Sequence, residues 1–539
     1  MKDLQYFELH KMVKRKYLAK GKNYITFDES WSIENTNPPV LFATEDFKEC
    51  LKKSFEITLG ENTDKKIKLS QKDMSENSFE ITVTDNEVLF SAANNFMLVQ
   101  ALFYAEDLMK QYGDGSLEKK KYTVSTKIKE RLATSALEND EFTKEYVNVL
   151  LHFGYTGAIL YFHNAESLNN LREKGMKVYL FSDESDYFEL YDGVISEKGD
   201  ILSLENIEDK IAYIKATDKK TVILSLDEGQ AIERDGVDFI TKQGSLVMAQ
   251  PSNLFRNLFD EAKRKDIKIW VLNYGGGKTE EVPAMPYIPA MMQWFMRLNS
   301  LKEFDVDCTV ESGRFGFIPS IVGEFTKAMN YVPCDEGGIC IQKLASMHYG
   351  AENTEKVMMA FKKVTDGVNY LIYNYADFDG PLQFGPAYPL INGDLYEYDF
   401  ENNDITLETD VNLKAADCFN KASMILSHIE NDEAQQLSSI LGFLVNTLVT
   451  CANTKRWYRR IDALKKTDTD YKQNFLYEQL LKIGEQEIKN AYDTADILIK
   501  APFLEGSNTE LLCTANALEA KIRLTENALN EIRKKINKN

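Results

Sequence analysis

With 539 residues the chain is too long for a single hydrophobic core, so about two to four structural units are expected. Hydrophobic residues make up 44% and charged residues 27%, the balance of a folded globular protein, which excludes wholesale disorder. The 64 basic residues against 84 acidic ones leave a net charge of -20, which repels phosphate backbones and anionic lipid, so neither nucleic acid nor membrane is expected as a partner. The opening MKDLQYFELHKMVKRKYLAK has no apolar run of signal-peptide length, and no stretch of eighteen consecutive apolar residues follows it. Seven cysteines (Cys50, Cys308, Cys334, Cys340, Cys418, Cys451, Cys513) are sparse and never spaced as CxxC. Reduced thiols in a cytoplasmic protein are therefore expected.

In chain order, residues 1–125 alternate strand-like runs (NYITF, PVLFAT, SFEITVT, EVLFSAA) with helical ones and end in the amphipathic NNFMLVQALFYAEDLMKQYG. They predict a small non-catalytic α+β domain. From Arg131 the pattern becomes apolar strands separated by helices: RLATSA, GAILYF, KVYLFS, DGVISE, TVILSL, SLVMAQ, IKIWVLN and VDCTVE. Amphipathic segments such as EFTKEYVNVLLHFG, ENIEDKIAYIKA, SNLFRNLFDEAKRK and PAMMQWFMRLNSLKEF lie between most of them. About eight strands in such alternation predict an α/β fold, a (β/α)₈ TIM barrel over 126–335, although two connections are short and lack a convincing helix. Residues 336–539 read as an all-helical C-terminal domain. Its aromatic insert DFDGPLQFGPAYPLINGDLYEYD is expected to bring a loop, 377–400, to the pocket.

A barrel places its active site at the carboxyl ends of its strands, so the residues just after each strand are the ones to weigh. Asp227 and Glu228 follow TVILSL, Asn273, Tyr274 and Glu281 end or follow IKIWVLN, and Glu311 closes the last strand. Glycosidic cleavage needs one carboxylic acid for the leaving oxygen and a second group for the oxocarbenium-like centre, and convergent Asp and Glu supply that equipment. The GGGKT run from Gly275 to Thr279 is not a phosphate loop, because Leu272 stands where its first glycine belongs. It reads equally as a flexible active-site loop or a plain surface turn. His163, after ILYF, is either a substrate hydrogen-bond donor or a structural residue, while His152 and His348 fall in helical segments. No histidines are paired at metal-ligand spacing, so no metal or other cofactor is expected. Tyr161, Tyr274, Tyr287, Phe315 and Tyr388 are candidates to stack on sugar rings.

The run SFEITVTDNEVLFSAANNFMLVQALFYAEDLMKQY resembles the end of the domain that precedes the barrel in family 20 hexosaminidases and microbial α-glucuronidases. Further on, DEGQAIERDG, EVPAMPYIP, VESGRFGFIPS and LASMHYGAENTEKVMMAFKKVTDG with GPLQFGPAYPL resemble, in order, blocks of bacterial glycosidases of this architecture. The resemblance points to Asp227, Arg234 and Asp235, then Glu281 and Tyr287, then Glu311, Arg314 and Phe315, and lastly Gly385, Pro386 and Tyr388. Asp227–Glu228 is similar to the family 20 pair, in which Glu protonates the leaving group and Asp orients the substrate's acetamide. What this implies is an exo-acting β-N-acetylhexosaminidase-like hydrolase of small oligosaccharides or glycosides. An α-glucuronidase-like enzyme, with Arg234 and Arg314 clamping a uronic acid, and a non-catalytic sugar-binding protein are the alternatives. Homo-oligomerisation is left open.

Overall fold

The computed structural model describes residues 9–11, 23–34, 37–134, 141–181, 189–195, 204, 206–217, 221–273, 281–311, 316–391, 396, 398, 404–505 and 513–536. The N-terminal layer contains β1 (Tyr24–Thr26), β2 (Trp31–Glu34), α1 (Leu41–Phe55), β3 (Lys65–Gln71), β4 (Ser78–Val83), β5 (Glu87–Ala92), α2 (Asn95–Tyr112), β6 (Ser116–Glu118) and β7 (Lys121–Thr126). Phe79, Ile81 and Val83 alternate along β4 and bury one face of the sheet, as a strand covered on one side should. The Asn94 side chain accepts from Met97 N–H to start α2, and Gly113, at φ 73°, ends it. PVLFAT, expected as a strand, is instead helical: a turn over Pro38–Val40 runs into α1. There Ala43, Phe47, Cys50 and Leu51 recur at helical spacing and are buried.

The central layer follows with β8 (Glu130–Thr134), α3 (Lys144–His152), β9 (Gly157–Leu160), α4 (Ala165–Glu173), β10 (Lys177–Phe181), β11 (Gly193–Ile195), α5 (Ile207–Ala216) and β12 (Thr221–Ser225). Next come the hairpin β13 (Ala231–Arg234) and β14 (Val237–Ile240), then α6 (Asn253–Arg264), β15 (Lys268–Leu272), α7 (Met291–Ser300), β16 (Cys308–Val310), α8 (Ile321–Asn330) and β17 (Tyr331–Val332). Seven strands form one parallel sheet in the order β11-β10-β9-β8-β16-β15-β12. First and last strands are thus neighbours, the connectivity of a barrel, with β11 and β12 as the two edges among the described residues. Thr143, Asn164, Asn206, Ser252 and Ser320 cap α3, α4, α5, α6 and α8.

SLVMAQ, expected as an eighth strand, is a series of turns. Its backbone is satisfied by side chains: Gln293 Nε2 donates to Leu246 O at 3.0 Å and Val247 O at 2.8 Å, and Leu246 N–H donates to Glu281 Oε2 at 3.0 Å. β17 leaves the central layer to pair with β7, completing a six-stranded sheet in the order β17-β7-β4-β5-β3-β2.

The C-terminal part comprises α9 (Gly337–Tyr349), α10 (Thr354–Val368), α11 (Tyr375–Phe378), α12 (Pro381–Phe384), α13 (Ile405–Ser427), α14 (Asp432–Lys465), α15 (Asp470–Lys500) and α16 (Ala515–Ile536). A Cβ on Gly367 would lie 2.7 Å from the Phe419 ring, so only glycine lets α10 and α13 approach this closely. Among the described residues one helix, α14, is long and apolar enough to cross a membrane by length and composition, but 67% of its apolar window is buried inside the molecule. Val237, Phe239, Leu246, Val247, Val282, Ala284 and Met285, all from connections that follow β12 and β15, share a core with α10, α13 and α14. The helical layer therefore grips two of the connections at the carboxyl edge of the sheet.

Candidate active site

Alternation along each strand decides which way a carboxylate faces. Cys308 and Val310 of β16 belong to the inner cluster with Leu132, Ile159, Tyr179, Ile223, Trp270 and Leu272. Thr309 and Glu311 therefore face outward, toward the helices. Glu311 Oε1 accepts from Arg131 Nε at 2.8 Å and from Thr309 Oγ1 at 2.7 Å, and Oε2 from Arg131 Nη2 at 2.5 Å. Arg131 also donates to Phe153 O at 2.9 Å. Burial alone would lower the Arg131 pKa, but the Glu311 carboxylate outweighs it and raises it. Glu228 is turned outward as well, sharing parity with Leu226 of the outer core. Its Oε2 accepts from the buried Lys210 Nζ of α5 at 2.7 Å.

Asp227 lies on the inner side, two residues beyond Ser225, whose hydroxyl donates to its Oδ1 at 2.8 Å. Gly244 N–H donates to the same oxygen at 3.0 Å, and Arg297 Nη2 bonds Oδ2. Arg297 is the hub: Nε donates to Asn273 Oδ1 at 2.8 Å and Nη1 to Ser245 O at 2.9 Å. The Ser245 hydroxyl in turn bonds Glu281. Asp227, Asn273, Glu281 and Arg297 are all buried. Three of the expected site residues thus meet in one polar network, while Glu228 and Glu311 stand apart from it. Sequence reasoning missed Arg297. Its signal is a single cation among the apolar residues of PAMMQWFMRLNS, where an unpaired charge would be costly.

On the other half of the rim the side chains are aromatic. Tyr161 and Phe181, at the ends of β9 and β10, meet edge to face at 5.7 Å, and Phe162 is 64% exposed. His163 Nδ1 is 2.8 Å from the Tyr191 hydroxyl. Arg234, on β13, makes one long hydrogen bond, from Nη1 to Glu233 O at 3.5 Å, and among the described residues no carboxylate pairs with it. Asp235 beside it pairs with Lys414 of α13.

Tyr287 lines a separate cleft with Lys11, Glu324, His348 and Glu433. In it His348 bridges Glu324 and Glu433, each at 2.8 Å. The insert docks on the connection after β15, with Ala284 N–H donating to Leu382 O at 3.0 Å. Tyr388 is buried against Phe384 and Tyr396, Gly385 approaches the Phe443 ring, and Pro386 O accepts from Lys521. Tyr274, Gly275 to Thr279, Arg314 and Phe315 lie outside the described residues.

No protein-family model matches the chain, and no curated protein matches its sequence. Among solved structures it is similar to a GH138 enzyme targeting pectin rhamnogalacturonan II, with a TM-score of 0.51 and 10% identity over 93% of this chain and 79% of that one. BtGH115A, a family GH115 4-O-methyl-alpha-glucuronidase with specificity for decorated arabinogalactans, matches at a TM-score of 0.47 and 8% identity over 91% and 82% of the two chains. CpGH84B matches at 0.40 and 11% identity over 94% and 98%. At such identities the likeness is one of fold, and of the three only the first has a TM-score above 0.5.

Proposed function

We propose that the chain is a glycoside hydrolase acting at the ends of carbohydrate chains, with its substrate seated over the carboxyl edge of the parallel sheet. The observation that carries this reading is the cyclic order of the parallel strands between an α+β layer and a helical layer, in a chain whose fold is similar to that of the GH138 enzyme along most of its length. On this reading the seven strands are the larger part of a (β/α)₈ barrel. Phe162, Tyr161 and Phe181 offer faces to a sugar ring, and His163 a hydrogen-bonding edge. Asp227, through Arg297, holds Asn273 and Glu281 in place and acts as a positioning residue.

Of the two substrate classes, a uronic acid glycoside has a specific observation in its favour: Arg234 keeps a guanidinium that no described carboxylate neutralises. The N-acetylhexosaminide reading relies on Asp227 and Glu228 working as one pair, and the two face opposite sides of the strand end. The test compares turnover of aryl uronides and aryl N-acetylhexosaminides by the wild type and Arg234→Gln. Uronide cleavage should dominate, and the variant should lose about 10- to 100-fold in kcat/KM on it, the ~1.5–3 kcal/mol of a hydrogen bond to a charged group. Cleavage of the hexosaminide alone would overturn the uronide assignment. Sugar binding by calorimetry with no cleavage of either would overturn the enzyme.

A further inference from the structure

Away from the strand ends, four side chains from separate elements converge: His10, Asp46 of α1, Glu106 of α2 and His152, the last residue of α3. One donor atom of each lies within 4.8 Å of all the others, and the four residues are buried. The two imidazole Nε2 atoms address the same oxygen, Asp46 Oδ2, from 3.1 Å for His10 and 2.7 Å for His152. Glu106 Oε2 stands 3.6 Å from His152 Nδ1, beyond hydrogen-bond reach, and neither oxygen of this fully enclosed carboxylate has a hydrogen-bond partner. Lys110 and Lys327 are the protein cations this carboxylate feels, yet Lys110 Nζ is directed to the backbone oxygen of Leu9, at 3.4 Å, and Lys327 Nζ bonds Asp107.

A carboxylate without solvent and without a bonded donor is stable only if it takes up a proton, toward which burial and the neighbouring Asp46 push Glu106, or if a cation satisfies it. Two imidazoles and two carboxylates are a donor set that zinc accepts. Calcium and magnesium take oxygen donors instead. Zinc ligands at about 2.0–2.2 Å from the ion occupy tetrahedral corners roughly 3.3 Å apart, so the 2.7 and 3.1 Å separations at Asp46 already approach a coordination edge. Glu106 is the ligand that has to swing inward. The surroundings are those of a fixed site: Asn148 Nδ2 donates to Asp46 Oδ1 at 2.8 Å, and Phe103 stacks on the His152 ring at 3.7 Å. We propose that His10, Asp46, Glu106 and His152 form a structural zinc site that fastens α1, α2 and the segment around residue 10 to the first helix of the central layer. Four protein ligands, all buried, leave no open position for substrate, which separates this site from catalysis and makes it independent of the glycosidase reading.

The experiment uses the full chain, purified without a metal-affinity tag, and measures metal content by mass spectrometry and melting temperature with and without a chelator. About one zinc per chain should survive dialysis, and chelation should lower the melting temperature by several degrees. Glu106→Gln, which keeps the shape of the side chain, and His10→Ala should each lose the metal and the response to chelator. Asn148→Ala should weaken zinc binding by about 10-fold or more while leaving the ligands intact. Zinc content far below stoichiometry even after zinc is supplied would overturn the proposal. So would metal content unchanged in both ligand variants, or displacement of zinc by calcium or magnesium at equal concentration.

Discussion

Arg131 and Glu311 form a two-pronged ion pair across the join between the first and last strands of the parallel sheet, with both side chains buried. Replacing one partner strands the other charge away from water. Glu311→Gln should therefore cost about 3–5 kcal/mol of stability, read from the denaturant midpoint, whereas the paired replacement Arg131→Met with Glu311→Leu should recover most of it. Turnover lost at an unchanged midpoint would instead assign Glu311 to the chemistry.

Asp227 gives the same contrast at the inner rim. Its partner Arg297 is enclosed, so Asp227→Asn should lower the melting temperature and reduce turnover on every substrate by one common factor. Glu228→Gln, at a pair that retains some solvent, should be milder and leave the ratio of rates on poor and activated leaving groups unchanged. A selective loss on poor leaving groups would restore Glu228 as the acid.

His348 provides a pH signature. Burial alone would lower its pKa, but Glu324 and Glu433 on either side outweigh burial and hold it well above the ordinary histidine value. Both carboxylates are correspondingly lowered: burial pushes them up, and His348 overrides it. A raised histidine stabilises fully below its unfolded pKa and loses that contribution as pH rises through the folded one. The lowered carboxylates contribute fully above their unfolded pKa and lose it on acidification. The wild type should therefore exceed His348→Gln in stability most between about pH 4.5 and 6.5, with the gap narrowing on both sides. Denaturation midpoints at several pH values check this, and a gap that widens toward alkaline pH would contradict it.

Phe162 is largely exposed, beside Tyr161. Phe162→Ala should leave the melting temperature within about a degree, since exposed positions contribute little to stability. KM for a glycoside should rise by about 10-fold through lost ring stacking. Steady-state kinetics beside a melting curve separates these effects, and an unchanged KM would remove the ring from the site.

The sequence carried the strands better than the site. RLATSA, GAILYF, KVYLFS, DGVISE, TVILSL, IKIWVLN and VDCTVE each contain a strand of the sheet, because their apolar runs are buried on both faces and leave a continuous hydrophobic signature. SLVMAQ carries the same signature for another reason: Leu246 and Val247 are buried against the helical layer while Gln293 and Glu281 take the place of neighbouring strands. PVLFAT misled in the opposite way, since its residues are the first turns of a helix whose period becomes visible only as far along as Phe47 and Leu51. Position after a strand was the ground for expecting Asp227, Glu281 and Glu311 as catalytic carboxylates, and all three are buried. It could not supply their partners, Arg297 and Arg131, which lie 70 and 180 residues away. No local pattern announces His10 beside His152 either.

The pairing of β17 with β7 has a consequence for synthesis on the ribosome. On one side β7 pairs with the earlier β4, but the strand on its other side is made about two hundred residues after it, once the whole central layer has been translated. Until Tyr331 and Val332 emerge, β7 is an uncovered sheet edge, able to recruit strands from other nascent chains. A fragment stopped at residue 126 would keep that edge permanently. The N-terminal layer is thus begun first and finished late, and its maturation waits on the part of the chain it precedes.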